Sequence, residues 1–212
     1  MSPAPRPCRE TVTGAVLAGG RGTRMDGRDK GLVPLAGRPM VAYVLDALRP
    51  QTAALLINAN RSLDDYRSFG VPVASDRQAD YPGPLAGVAA ALAAAPTPWV
   101  VTAPCDGPLV PDDLVERLAA AVESEAVEVA VAHDGERLQP VYALLRRDLL
   151  EDLETFLAAG GRRVNQWLSG QAMAVADFSD HPTAFLNVNR PQDAEAVLRH
   201  LGSHGQATGQ HR

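Results

Sequence analysis

The chain has 212 residues and 22.4 kDa, 46% hydrophobic and 21% charged, which suits one soluble globular domain built on a single core. A net charge of -5 and a pI near 5.5 exclude nucleic-acid binding by bulk electrostatics, and no run reaches the ~18 apolar residues that span a bilayer. Two cysteines, Cys8 and Cys105, far apart in the chain, give neither a disulfide framework nor a CxxC metal site, and a reducing, cytoplasmic setting is expected.

The N-terminus, MSPAPRPCRE, is proline-rich and has no apolar h-region, so residues 1–11 are expected to form a flexible lead rather than a secretory signal. The first strand is predicted at 12–17, directly before LAGGRGTRMDGRDKG at 17–31. A helix at 39–48, a strand at 53–58, a helix at 62–69 and a strand at 71–74 follow. Next come a small-residue helix at 84–95, a strand at 98–103 and a helix at 111–123 that opens on Pro111-Asp112-Asp113, proline and acids in a first turn. Strands at 127–132 and 139–145 and helices at 147–159, 162–169 and 191–201 complete the pattern, with a disordered polar tail expected at 203–212. Residues 12–202 thus read as one α/β domain, a mostly parallel central sheet with helices on both faces in a three-layer, Rossmann-like arrangement.

Ligands of such folds sit beyond the carboxyl ends of the strands. The residues placed there are Gly19 onward, Asn58, Asp76 and Asp106. The glycine-rich turn fits neither of two common loops. A Walker A loop needs lysine and a hydroxyl after its last glycine, and Arg28-Asp29 follows Gly27; a dinucleotide fingerprint begins at Gly20-Arg21-Gly22, but Met25 takes its last glycine. A longer phosphate-wrapping loop remains, in which bare backbone N–H groups approach phosphate oxygens while Arg24 and Lys30 neutralise a polyphosphate. No Ser/His/Asp triad and no zinc constellation can be assembled from the chain.

LAGG-x-GTRM-x-x-x-DKG with L-x-G-x-P at 35–39 resembles the signature of nucleotidyltransferases of the sugar-nucleotide pyrophosphorylase type. With INANR (57–61), YPGPLAG (81–87), PCD-x-P-x-[VL]-P-x-DL (104–114), AGGRRV (159–164), DFSDH (177–181) and F-x-NVN-x-P-x-D (185–193), it resembles the molybdenum cofactor guanylyltransferases, from about residue 13 to about 198. Two positions depart from that pattern: Asp26-Gly27 stands where Gly-Gly is usual, and Asn189-Arg190-Pro191-Gln192-Asp193 where Asn-Thr-Pro-Glu is. The resemblance implies transfer of GMP from GTP to molybdopterin, with release of pyrophosphate. It implies Mg2+ as cofactor, held by Asp106 and with Asn189 as a plausible second ligand, although a turn role serves Asn187 and Asn189 equally. It further implies Lys30 and Arg24 on the leaving phosphates, with Lys30, Asp106 and Arg24 as the catalytic set. Asn58 and Asp76 are implied in nucleotide binding, and the backbone of Leu17, Ala18 and Gly19 as the nucleotide cradle. Asp29 is expected to orient Lys30 or Arg24, and Arg162 and Arg163 suit either the pterin phosphate or the end of a helix. The implied partners are GTP, molybdopterin and other proteins of molybdenum cofactor synthesis or molybdoenzyme chaperones, around a monomer; nucleic acid and membrane are not expected. Two alternatives stay open: a CTP-dependent or other small-phosphate transferase, and a non-catalytic nucleotide-binding module.

Overall fold

In the computed structural model, residues 5–19, 29–77, 83–122, 124, 126–181 and 183–205 are described. The first element among the described residues is a 3-10 turn, Arg9–Thr11, which enters β1 (Val12–Leu17). After a second 3-10 turn, a short hairpin of β2 (Pro34–Leu35) and β3 (Arg38–Pro39) leads into α1 (Met40–Leu48). Then come β4 (Ala54–Asn58), α2 (Leu63–Arg67), β5 (Val73–Ala74), α3 (Pro84–Ala94), β6 (Trp99–Pro104) and α4 (Leu114–Ala121). The C-terminal part holds β7 (Val129–His133), β8 (Leu138–Arg146), α5 (Leu150–Ala158), α6 (Val164–Leu168), β9 (Met173–Asp177) and α7 (Pro191–Gly205).

Seven strands form one sheet in the order β5-β4-β1-β6-β8-β7-β9. All pairs are parallel except those of β8, which runs antiparallel to both β6 and β7. The mostly apolar run of β1 is explained by its place: every residue is buried between β4 and β6, with helices on both faces. Side chains alternate between two cores. Val12, Val16, Trp99 and Val101 face a layer of α1, α2 and α4, while Ala15, Leu17 and Val100 face α3, α5 and α6. A third cluster joins Leu35 and Met40 to Val188 and Val197, so α7 packs on the hairpin and on α1. The three-layer α/β sheet expected from the sequence is therefore present, and no helix among the described residues is long and apolar enough to cross a membrane.

Both ends differ from expectation. Residues 5–11 were expected to be a loose lead, yet Pro7 is buried and the indole of Trp99 donates to the carbonyl of Pro5 at 2.7 Å. A buried indole N–H requires an acceptor, and the lead supplies it. At the other end α7 runs on to Gly205, so residues 203–205 of the expected tail are helical. A polar composition does not stop a helix whose backbone bonds close on the preceding turn. Three short strands, β2, β3 and β9, were not expected. The helix predicted from 111 starts only at Leu114, with Asp113 as its N-cap residue and Arg117 bonded back to the Asp113 carboxylate at 2.6 Å.

Candidate active site

The carboxyl ends of β1, β4, β5 and β6 meet along one edge, and backbone bonds lock them together. Ala18 N–H donates to the Asn58 carbonyl at 2.8 Å, and Cys105 N–H to the Leu17 carbonyl at 3.0 Å. Leu17 and Ala18 are buried there, with Gly19 beside them. Arg24, Asp26 and the rest of residues 20–28 lie outside the described residues, as do Tyr81 and Pro82.

One half of the edge carries hydrogen-bond acceptors. Asn58, at the end of β4, is buried, and its amide N–H2 donates to the Asp76 carboxylate at 2.8 Å and to the Ala74 carbonyl at 3.2 Å. Its carbonyl oxygen consequently points the other way, between Gly19 and Gly87. A Cβ on Gly19 would fall 2.8 Å from that oxygen, and one on Gly87 2.4 Å from it. Only glycine fits at either place, and α3 starts close against the end of β4. Asn60 grips Asp76 from a second side: its Nδ2 donates to the carboxylate at 2.7 Å, and the Asp76 backbone N–H donates to its Oδ1 at 2.8 Å. In the sequence Asn60 is marked only by its place two residues after Asn58 in INANR.

The other half carries charge. Lys30 stands in the 3-10 turn that follows the glycine-rich segment, and its ammonium lies between two oxygens. It is ion-paired with the Asp106 carboxylate and donates to Asn189 Oδ1 at 2.8 Å. Asp106 stands just past β6, half-buried, and its carbonyl accepts from Val188 N–H at 2.8 Å. That bond brings the Asn187-Val188-Asn189 segment to the sheet. Asn189 is fixed in turn by α7, because the Asp193 carboxylate accepts from both the Asn189 and the Arg190 N–H at 2.8 Å. Residues 76 and 159 positions apart in sequence from Lys30 thus converge on its ammonium.

Asp106 and Asn189 offer two hard oxygens to one cation. Mg2+ commonly takes one or two protein oxygens and fills its octahedron with phosphate oxygens and water, so the donor set fits that ion. No group of three or more His, Cys, Asp or Glu exists among the described residues that would form an all-protein cage.

Neighbouring groups are structural. Asp29 does not reach Lys30. Its buried carboxylate accepts from the buried Tyr66 hydroxyl at 2.5 Å and lies 3.9 Å from Arg61, so it anchors the backbone from which Lys30 projects. Burial pushes the Cys105 thiol far above its ordinary pKa, helped by the charges of Asp106 and Asp29, so the thiol stays protonated and is no nucleophile. Arg162 donates to the carbonyls of Leu157 at 2.8 Å and Gly161 at 2.6 Å, which closes the C-terminal end of α5.

Residues 14–174 match the MobA-like NTP transferase domain. A molybdenum cofactor guanylyltransferase of Cupriavidus pinatubonensis is 50% identical over 186 residues, covering 85% of this chain and 93% of that protein. One from Vibrio cholerae is 49% identical over 178 residues, covering 84% and 87%. The fold is similar to that of molybdopterin-guanine dinucleotide biosynthesis protein A from Archaeoglobus fulgidus, with a TM-score of 0.75 at 22% identity over 90% of this chain and 99% of that one. With its sheet, its acceptor pair and its lysine–aspartate–asparagine cluster at one edge, the chain belongs to the MobA-like NTP transferases, a nucleotidyltransferase akin to the molybdenum cofactor guanylyltransferases.

Proposed function

We propose that the chain transfers GMP from GTP to the terminal phosphate of molybdopterin, giving the guanine dinucleotide form of the cofactor. A phosphate oxygen of the pterin forms a bond to the α-phosphorus of GTP, the bond to the bridging oxygen breaks, and pyrophosphate leaves with the electron pair. No proton need be removed from an ionised phosphate, so the protein's work is alignment and charge neutralisation. The observation that carries the reading is the meeting of Lys30, Asp106 and Asn189 at the carboxyl edge, one strand away from the Asn58–Asp76 pair.

In this reading the backbone of Leu17, Ala18 and Gly19 cradles the nucleotide, and the Asn58–Asp76 pair binds the guanine edge, Asp76 presenting acceptors to its N1–H and amino group while Asn58 holds that carboxylate in place. Asp106 and Asn189 hold Mg2+, which supplies Lewis-acid stabilisation of the phosphate charge. Lys30 exchanges those two oxygens for phosphate oxygens of the leaving group, and Arg24 clamps beside it. Arg24, Lys30 and Asp106 form the catalytic set. The working unit is one domain, residues 12–202, acting as a cytoplasmic monomer that receives its pterin from other proteins of cofactor synthesis and passes the product to molybdoenzyme chaperones.

Thermal unfolding with GTP, CTP, ATP or UTP, each with and without Mg2+, tests the reading. GTP with Mg2+ at ~100 times its dissociation constant is expected to add about 2.7 kcal/mol of stability, and CTP far less. Equal or greater stabilisation by CTP rejects guanylyl transfer and leaves a sister reaction.

A further inference from the structure

The acceptor half of the edge contains a residue with no role so far. Asn60 is exposed, lies past the end of β4, and makes paired hydrogen bonds with Asp76. Its amide orientation is unambiguous. The reversed amide would set its oxygen against the Asp76 carboxylate and its N–H2 against the Asp76 N–H. Asn58 holds the other carboxylate oxygen, at 2.8 Å, and is itself oriented by the Ala74 carbonyl. Each oxygen of Asp76 therefore accepts one amide N–H, Oδ1 from Asn58 and Oδ2 from Asn60, and the carboxylate cannot turn about its terminal torsion without losing one of them. Each oxygen keeps further lone-pair capacity, because an ionised carboxylate has about four acceptor positions.

We infer that Asn60 is the positioning residue for base selection: it locks the plane of the Asp76 carboxylate so that both its oxygens face the paired N1–H and amino donors of a guanine edge. The inference rests on the guanylyl reading above. Two parallel bonds demand a fixed plane; a carboxylate free to rotate meets one donor at a time. Asn58 alone leaves that freedom, and Asn60 removes it. The residue touches no reacting atom, and its effect belongs in the choice of base rather than in the chemical step.

Inosine triphosphate keeps the N1–H of guanine and lacks the amino group, so the ratio of kcat/KM for GTP to that for ITP reads the second bond directly. Two substitutions separate locking from mere support. Asn60→Ala removes both bonds to Asp76. Asn60→Asp keeps the oxygen that accepts the Asp76 N–H and replaces the donor by an anion facing the carboxylate. If Asn60 locks the carboxylate, both variants raise KM for GTP and lower the GTP/ITP ratio by about tenfold or more, kcat at saturating GTP stays within about threefold of the parent, and Asn60→Asp is the worse of the two. A residue that only ties β4 to β5 impairs GTP and ITP equally, with the loss following the melting temperature. That outcome, or a parent-like ratio in both variants, overturns the inference. Failure of the guanylyl reading shows separately, as a parent protein that does not prefer GTP to CTP.

Discussion

Tyr142 shows how closely single atoms are fitted around Asp106. It is fully buried in β8, its ring edge-on to Phe185 at 4.6 Å, and its hydroxyl has no hydrogen-bond partner among the described residues. Burial raises its pKa well above the ordinary value, and the charge of Asp106 adds to the shift. An unsatisfied buried hydroxyl costs about 1–3 kcal/mol, so Tyr142→Phe is expected to leave stability unchanged or raise it by about 1 kcal/mol. The same hydroxyl occupies the space a side chain at Gly107 would need, since a Cβ there would lie 1.9 Å from it. Gly107→Ala alone is therefore expected to cost more than about 2 kcal/mol, and much less in a protein that also carries Tyr142→Phe. A double-mutant cycle by urea unfolding measures the coupling; strict additivity would mean that the phenol moves aside freely.

Among the elements, α3 has the most particular job, because its first turn has to come within reach of the Asn58 amide. An alanine at Gly87 would gain about 0.5–1 kcal/mol of helix propensity, but its methyl would meet the amide oxygen at 2.4 Å. The two effects oppose each other in the free protein, whereas nucleotide binding suffers only the second. Gly87→Ala is expected to lower the melting temperature, because the clash outweighs the propensity gain, and to weaken GTP binding by about tenfold or more, as calorimetric titration would show. Much of this architecture was legible in the sequence. Long apolar runs such as those of β1 and β6, and the small-residue pattern of α3, admit one reading each. The β2–β3 hairpin was not, because its turn residues Ala36 and Gly37, both at positive φ, replace the asparagine–glycine pair that usually marks such turns. Nor was β9, a half-buried edge strand rich in alanine. Strand direction has no periodic signature at all, so the reversal of β8 could come only from the fold. At the site, Asn58, Asp76 and Asp106 were legible as residues just past strands. The convergence of Lys30, Asp106 and Asn189 was not, since nothing local links positions so far apart, and Asn60 hid beside a more conspicuous neighbour.

At the scale of the whole molecule, the site is a product of the sheet's order. Its acceptor half comes from the first three parallel strands to be paired on one side of β6, and its charged half is closed from the far end of the chain by α7, through Asp193 and Asn189. The antiparallel β8 has a further consequence for how the protein is made. Synthesis runs from the N-terminus, and β7 is completed before the strand that separates it from β6. Until Leu138–Arg146 exists, β7 has no native strand to pair with, because both of its strand partners, β8 and β9, come later. Meanwhile β6 offers an open edge, and both strands are apolar, β-prone and nearly uncharged. A chain halted near residue 136 could join β6 to β7 directly, a pairing that shuts β8 out, or could present two sticky edges to other chains. A fragment ending at residue 136 is expected to elute from gel filtration as large aggregates, while one extended through β8 and β9 to residue 178 stays largely soluble. A monodisperse, soluble 136-residue fragment would mean that the early strands shield their own edges while they wait.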